Sequence, residues 1–320
     1  MQRKMAIVVQ ELTEAHRAKI RAAAEGYGFE VRFLNSPAEN PGFLRAAEVV
    51  FGHLPGTAAT SHALKWICTP YAGVDQFLKP DAFADPETML SNSSGAYGVT
   101  IAEHIVMMLL DILRRQPEYR QIVATREWQR DLTVRSIRDS RITLLGTGDI
   151  GQETAIRLRA FSPAGIVGVN RSGENPGNLF DRILKRDTWE TALPETDVLI
   201  ISLPGTRETF HMLGKEQLAL LPDGAVVINV GRGSVVDQDA LLTELKNGRL
   251  YAGLDVFEQE PPAKDDPVWE TPNLLITPHT AGNMTLAHTV NRIAEMFLED
   301  LERYCNGELP ARLVDRNRGY

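Results

Sequence analysis

The sequence predicts an α/β protein made of two doubly wound domains, each built on a parallel sheet. Short apolar, β-branched runs alternate with helical patterns along most of the chain, which is typical of parallel strands joined by helices. With 320 residues and 43% apolar side chains, the chain is long enough for two cores, because single cores rarely keep growing at this length. A turn-rich segment, residues 91–98, predicts a crossing between the two domains.

The first domain is predicted to begin with the chain. Its expected elements are a helix near residues 14–27 and strands at residues 6–9, 30–34, 49–51 and 66–68. A last helix, residues 285–304, should return to this domain and make it discontinuous. We therefore assign residues 1–97 and 285–320 to it.

The second domain is predicted to cover residues 98–284. A long amphipathic helix begins near Val99 and precedes the strands of this domain. These strands are expected at residues 141–145, 166–169, 198–202, 225–230, 251–255 and 274–277. Helical patterns separate most of them, so a doubly wound sheet is predicted.

Composition excludes several classes of protein. The formal charge is −8, from 42 acidic and 34 basic residues without a long block of one sign, which argues against a nucleic-acid partner. Two cysteines, Cys68 and Cys305, are too few for a disulfide framework or a zinc cluster. The apolar start is short and no run reaches the roughly 20 residues of a membrane span. We expect a cytoplasmic protein without a metal site.

A glycine-rich turn follows the predicted strand at residues 142–145 and opens a helix. Its residues are Gly146, Thr147, Gly148, Asp149, Ile150 and Gly151. In a dinucleotide-binding turn the first glycine permits the tight turn, the second lets the backbone approach the pyrophosphate, and the third lets helix and strand pack closely. The helix N-terminus then faces the phosphates. The spacing predicts a dinucleotide site, with the Asp149 carboxylate turned to solvent.

The residues after the next strand bear on which dinucleotide is bound. NAD enzymes place Asp or Glu there to hold the ribose 2′-hydroxyl, whereas this chain has Asn170, Arg171 and Ser172. Arg171 offers paired donors to a 2′-phosphate, and its neighbours can add hydrogen bonds. We predict NADP, with NAD as the other possibility. The alternative is that Arg171 is an ordinary exposed loop residue.

Three ionisable residues fall at or just beyond predicted strand ends, where open α/β sheets bind ligands. They are Arg232, Glu260 and His279. Reduction of a 2-keto acid needs a cation to bind the carboxylate and polarise the carbonyl, and an acid to protonate its oxygen. Arg232 suits the first task and His279 the second, with Glu260 stabilising the imidazolium. The alternative for Glu260 is a solvated rim formed with Glu258.

In these motifs the chain resembles the D-isomer-specific 2-hydroxyacid dehydrogenase family. The resemblance spans about residues 71–282 and is carried by residues 146–151, Ile200, Ser202, Leu203, Pro204, Thr206, Thr209, residues 228–233, residues 254–257, Glu260, Pro261, Pro278 and His279. It implies a Rossmann cofactor domain and a discontinuous flavodoxin-like substrate domain with a cleft between them. It also implies a homodimer in contact through the cofactor domain.

The resemblance also assigns roles to residues. It implies that Arg232 binds substrate, that Glu260 pairs with His279, and that Asp255 holds the nicotinamide amide. It adds to the cofactor site Leu203, Pro204, Thr209, Val230 and Gly231. A loop in the first domain comprises Tyr71, Ala72, Gly73 and Val74, and its backbone groups would hold the substrate carboxylate. The Tyr71 ring could narrow the substrate pocket or simply pack against its neighbours.

Because Asn170 replaces the usual acidic residue, the chain is most similar to NADPH-dependent glyoxylate and hydroxypyruvate reductases. Two alternatives stay open. The stretch at residues 102–108 also resembles formate dehydrogenase, and some family relatives are nucleotide-sensing corepressors that can retain all three ionisable residues. His53, His104 and His288 lie outside the matching motifs and are expected to be structural.

Overall fold

A computed structural model describes residues 2–319 and divides the chain into two compact units. One unit contains the residues up to Tyr97 and from Met284 onward, and the other is Gly98–Asn283. Each unit is organised around its own parallel sheet, which confirms the predicted fold class.

The first unit contains a five-stranded sheet. Its strands are β1 (Arg3–Ile7), β2 (Phe29–Phe33), β3 (Val49–Phe51), β4 (Trp66–Cys68) and β5 (Met89–Ser91), in the order β2-β1-β3-β4-β5. This is the flavodoxin-like order. The helices between them are α1 (Glu14–Gly26), α2 (Pro41–Arg45) and α3 (Pro55–Ala58). Strand β5 was not predicted, because it has only two apolar residues and its last residue, Ser91, begins the turn-rich segment.

The second unit begins with two helices, α4 (Gly98–Leu113) and α5 (Gln116–Ala124). Its seven strands are β6 (Arg141–Leu145), β7 (Gly165–Val169), β8 (Arg182–Leu184), β9 (Val198–Ile201), β10 (Val226–Asn229), β11 (Tyr251–Leu254) and β12 (Leu274–Ile276). Helices α6 (Asp149–Arg159), α7 (Lys215–Leu220) and α8 (Gln238–Lys246) complete it. Every residue of β9 and β10 is buried, as expected for central strands covered on both faces.

The strand order of this sheet locates a ligand crevice. The order is β12-β11-β10-β9-β6-β7-β8, with all pairs parallel. The chain leaves β6 toward β7 on one side and returns to β9 on the other. The carboxyl ends of β6 and β9 therefore form a topological switch point, where doubly wound sheets bind dinucleotides.

The last helix, α9 (Ala287–Cys305), belongs to the first unit. The Phe297 ring stacks on Phe51 of β3, with ring centroids 4.1 Å apart, and on Trp66 of β4 at 5.4 Å. These aromatic contacts explain why the C-terminal segment returns to this sheet.

Both cysteines are free, and burial raises the pKa of the Cys68 thiol to about 12. Throughout residues 2–319, no helix combines the length and apolar character that crossing a bilayer requires. Within the same residues no group of three His, Cys, Asp or Glu side chains is placed to hold a metal ion.

Candidate active site

The glycine turn lies at the switch point and has the shape that a dinucleotide requires. Gly146 has a φ of +106°, and a Cβ there would lie 2.8 Å from Ser202 Oγ, just beyond β9. A Cβ at Gly151 would overlap the Gly146 carbonyl oxygen. By contrast, a Cβ at Gly148 would meet no heavy atom of the protein within 4 Å. The first and third glycines are thus required by packing, and the second leaves the backbone accessible at the start of α6, where a phosphate would be favoured.

The Asp149 side chain does not turn to solvent as expected. It is half-buried, and a Cβ at Gly98 would lie 2.6 Å from Cγ and from both oxygens of its carboxylate. The carboxylate therefore packs against the start of α4, where the N-terminus of a helix favours negative charge. This placement explains how an acidic residue is tolerated beside a phosphate-binding turn.

Asn170, at the end of β7, organises the loop that follows it. Its Nδ2 donates to Thr147 Oγ1 (2.7 Å) and to the Glu174 carbonyl (2.8 Å), while its Oδ1 accepts from Gly173 N (2.7 Å). Ser172 Oγ accepts from Glu174 N (3.2 Å). Both Nδ2 hydrogens are occupied, so Asn170 ties the loop to the glycine turn.

Two cationic side chains flank this loop. Arg171 is exposed. Lys185, which follows β8, is also exposed, and its Cε would lie 2.6 Å from a Cβ at Gly173. The sequence interpretation missed Lys185, because β8 was not predicted and nothing local linked this lysine to the loop.

The segment after β9 is held by its own side chains. Thr209 Oγ1 donates to the Pro204 carbonyl (2.6 Å) and accepts from Thr206 N (2.9 Å). A Cβ at Gly231 would lie 2.5 Å from the Leu203 carbonyl oxygen, so only glycine permits this approach. Val230 is buried. The residues assigned to the cofactor in these two segments thus lie side by side.

Arg232 follows β10 in a turn fixed by Asn229. The Asn229 side chain donates to the Arg232 carbonyl (3.0 Å) and accepts from Gly231 N (3.1 Å). A Cβ at the next residue, Gly233, would overlap the backbone of Phe257. The turn that carries Arg232 therefore packs directly on the loop that leads to Glu260.

Glu260 and His279 form a close pair. His279 Nδ1 lies 2.6 Å from Glu260 Oε2, and Glu260 Oε1 accepts from Phe257 N at 2.9 Å. The His279 side chain is 51% exposed and that of Glu260 34%. The carboxylate therefore orients the ring through Nδ1 and leaves Nε2 to face a ligand.

The rival partner, Glu258, makes a different contact. Its Oε1 lies 2.8 Å from His211 Nε2 and accepts from Gln238 N at 3.0 Å. The structure thus separates the two acidic side chains of this stretch, and only Glu260 contacts His279.

Asp255 is 1% exposed and supports the backbone around His279. Its Oδ1 accepts from Thr277 Oγ1 (2.6 Å) and from Thr280 N (2.8 Å), and its Oδ2 accepts from Ala281 N (3.0 Å). The sequence did not predict these contacts of Asp255, which the family resemblance assigns to the nicotinamide amide.

His104 is expected to be structural, and it lies against the loop that carries His279. Its Nε2 lies 2.9 Å from Thr277 Oγ1 and 3.7 Å from Asp255 Oδ1. Apart from its place in the stretch at residues 102–108, nothing in the sequence linked His104 to this loop.

The loop after β4 lies in the first unit. Tyr71 is 42% exposed and Val74 is buried. Asn92 Nδ2 donates to the Ala72 carbonyl (2.8 Å), and Ser93 N donates to the Tyr71 carbonyl (3.1 Å). The His53 ring meets the Tyr71 ring edge-on with centroids 5.2 Å apart. The segment after β5 thus holds the backbone at Tyr71 and Ala72, and His53 packs on the Tyr71 ring.

The sequence matches a known protein family over most of the second unit. Residues 106–281 match the family model described as D-isomer specific 2-hydroxyacid dehydrogenase, NAD binding domain. A glyoxylate/hydroxypyruvate reductase B from Yersinia enterocolitica is 34% identical over 246 residues, covering 73% of this chain and 74% of that protein.

Solved structures extend the likeness to nearly the whole chain. A D-isomer specific 2-hydroxyacid dehydrogenase family protein from Aeromonas salmonicida is 29% identical, with a TM-score of 0.87, covering 99% of this chain and 100% of that chain. An NADPH-dependent glyoxylate/hydroxypyruvate reductase from Sinorhizobium meliloti, in complex with NADP and sulfate, is 26% identical, with a TM-score of 0.81 and full coverage of both chains (100%). The chain therefore belongs to the D-isomer specific 2-hydroxyacid dehydrogenase family of NAD(P)-dependent oxidoreductases.

Proposed function

We propose that this protein reduces a small 2-keto acid of the glyoxylate or hydroxypyruvate kind to the D-2-hydroxy acid, with NADPH as reductant. The observation that carries the proposal is the 2.6 Å contact between Glu260 and His279, in the unit that also holds the glycine turn at its switch point. The names of the Yersinia and Sinorhizobium relatives support the same substrate class.

The glycine turn would hold the cofactor pyrophosphate. Gly148 leaves backbone accessible at the start of α6, and the N–H groups and dipole of that helix favour an anion. When bound, the nicotinamide supplies the hydride that reaches C2 of the keto acid. The neighbouring segments with Leu203, Thr209 and Gly231 would line the rest of the cofactor site.

NADP is the cofactor we propose, with NAD as a weaker alternative. Support comes from Arg171 and Lys185, two exposed cations beside the loop that Asn170 organises. A 2′-phosphate would gain charge-assisted hydrogen bonds from them. The Sinorhizobium reductase, which was solved with NADP, supports the same choice.

His279 is proposed as the proton donor. With its Nδ1 hydrogen directed to Glu260, a protonated ring presents the Nε2 hydrogen to the carbonyl oxygen of the substrate. Glu260 stabilises the charged ring and fixes its orientation. The proton leaves Nε2 as the C2–O double bond becomes a C–O–H single bond, so one proton is consumed for each keto acid reduced.

Arg232 is proposed to bind the substrate carboxylate and carbonyl. Its guanidinium is permanently charged and offers paired donors, and its turn is packed through Gly233 onto the loop before Glu260. From the first unit, we propose the backbone of Ala72, Gly73 and Val74 as further carboxylate donors, with Tyr71 limiting the size of the acid.

We also propose a homodimer formed through the second unit. Helix α5 has no buried residue, and Trp128, shortly after it, is 91% exposed. A helix without a buried face and an exposed tryptophan are typical of a surface that a partner covers. A mass near twice 35.5 kDa by light scattering is expected, and a monomer would contradict the proposal. A cytoplasmic location also stays a prediction.

The test is a panel of acids assayed with each cofactor. Loss of NADPH absorbance with glyoxylate or hydroxypyruvate is the expected result. Oxidation of formate by NADP or NAD, without reduction of either keto acid, would instead indicate a formate dehydrogenase. Tight cofactor binding without turnover of any acid would indicate a nucleotide-sensing protein.

A further inference from the structure

A chain of hydrogen bonds links helix α4 to the loop that carries His279. His104 Nε2 lies 2.9 Å from Thr277 Oγ1, and Thr277 Oγ1 lies 2.6 Å from Asp255 Oδ1. The His104 side chain is 14% exposed and Asp255 is 1% exposed. His104 and Thr277 are partly buried beside the proposed acid, and neither has a part in the function proposed above.

The direction of these hydrogen bonds follows from the Asp255 carboxylate, which is the last acceptor in the series. An ionised carboxylate only accepts, so the single hydroxyl hydrogen of Thr277 is directed to Asp255. Thr277 Oγ1 must then accept from His104, which places the hydrogen of the neutral ring on Nε2. Burial lowers the pKa of His104, and this favours the neutral ring.

Asp255 in turn fixes the backbone at His279 and at the two residues that follow it. Its carboxylate accepts from Thr280 N and Ala281 N, and its carbonyl accepts from His279 N at 2.9 Å. His279 has a φ of +52°, a left-handed conformation that non-glycine residues adopt only where the surroundings hold them. The orientation of the Asp255 carboxylate is therefore a condition for the geometry of His279.

Close packing of α4 on the sheet brings His104 to this carboxylate. His104, Met108 and Ile112 are spaced four residues apart and share one face of the helix. A Cβ at Gly253 of β11 would lie 2.8 Å from Met108 Cε and 3.4 Å from Ile112 Cδ1. Glycine at this position lets α4 approach β11, two residues before Asp255.

We infer that His104 is a positioning residue for the reaction, which acts through Thr277 and Asp255 to hold the His279 loop in its active conformation. Because His279 matters only as the proposed acid, the catalytic consequence rests on the proposed function. The effect on the loop itself does not, and it is measurable in the protein without cofactor or substrate.

The test compares two substitutions of His104. His104→Leu removes the donor, whereas the amide nitrogen of His104→Gln can take the place of Nε2 and donate to Thr277. We expect His104→Leu to lower kcat for keto acid reduction roughly tenfold, the order of one buried hydrogen bond, with little change in KM for NADPH. His104→Gln should restore most of the activity. Thr277→Val should resemble His104→Leu, and the double variant should be no worse than either.

Amide hydrogen exchange of the unliganded protein provides the second readout. We expect peptides spanning residues 277–283 to exchange faster in His104→Leu than in wild type or His104→Gln. Met108→Leu perturbs the same helix face without touching the hydrogen bonds and serves as the control, with unchanged exchange and kcat.

Two results would overturn the inference. One is unchanged exchange at residues 277–283 in His104→Leu. The other is an equal loss in His104→Leu and His104→Gln together with a lower Tm, which would make His104 a packing residue. Failure of the proposed function is recognised separately, because the wild-type protein would then reduce neither keto acid while the exchange pattern persists.

Discussion

Replacing Glu260 with glutamine should weaken the proposed acid without disturbing the fold. Both carboxylate oxygens are used, one by Phe257 N at 2.9 Å and one by His279 Nδ1 at 2.6 Å. The Glu260→Gln side chain has only one acceptor oxygen, so it can keep one of these contacts but not both. The other donor, either Phe257 N or His279 Nδ1, would then face the NH2 group of the glutamine.

The magnitude follows from the strength and exposure of that contact. A hydrogen bond to a charged group contributes about 1.5–3 kcal/mol. Because the His279 side chain is 51% exposed, we take the lower end, about 1.5 kcal/mol, which corresponds to roughly tenfold in rate.

The assay is kcat for hydroxypyruvate reduction at one fixed pH, with Glu258→Gln as the matched control. Glu258 carries the same charge two residues away but contacts His211. An unchanged kcat for Glu260→Gln, or an equal loss for Glu258→Gln, would refute the pairing of Glu260 with His279 as a catalytic device.

Three further substitutions test the cofactor and substrate residues. Arg171→Ala should raise KM for NADPH about tenfold or more, since a charge-assisted hydrogen bond is worth about 1.5–3 kcal/mol. The KM for NADH should stay nearly unchanged. Equal losses with both cofactors would make Arg171 an ordinary loop residue. Arg232→Lys keeps the charge but loses the paired donors, so kcat/KM for the keto acid should collapse while Tm and NADPH affinity stay unchanged. A variant with the wild-type kcat/KM would show that another residue binds the substrate carboxylate. Gly151→Ala should abolish NADPH binding, measured by fluorescence titration, because its Cβ would overlap the Gly146 carbonyl; retained affinity would show that the turn adapts.

Much of the fold was predictable because it follows from local patterns of residue type along the sequence. Buried parallel strands are runs of apolar, β-branched residues, so β3, β4 and β6 were predicted with the bounds that the structure has. The glycine turn was equally predictable, since the spacing of its three glycines follows from the backbone geometry of the turn. Strands β5 and β8 were missed because each contains only two apolar residues and is defined by pairing at a sheet edge rather than by its own pattern.

The contacts around the site were less predictable, because they depend on packing between distant segments. His104 and Thr277 are 173 positions apart, and their contact follows from α4 resting on Gly253. Likewise, Asp149 packs on Gly98 rather than facing water. Asn170 is occupied by its own loop, which no comparison of residue types could indicate.

The most direct test of the proposed chemistry compares wild type with His279→Ala in the NADPH-dependent reduction of hydroxypyruvate, with chiral analysis of the product. We predict that the wild-type protein forms the D-hydroxy acid. His279→Ala should lose about 10²–10⁴-fold in kcat, the usual range for a general acid, at unchanged NADPH affinity and Tm. An L product, or a His279→Ala variant with wild-type kcat, would contradict the assignment of this site.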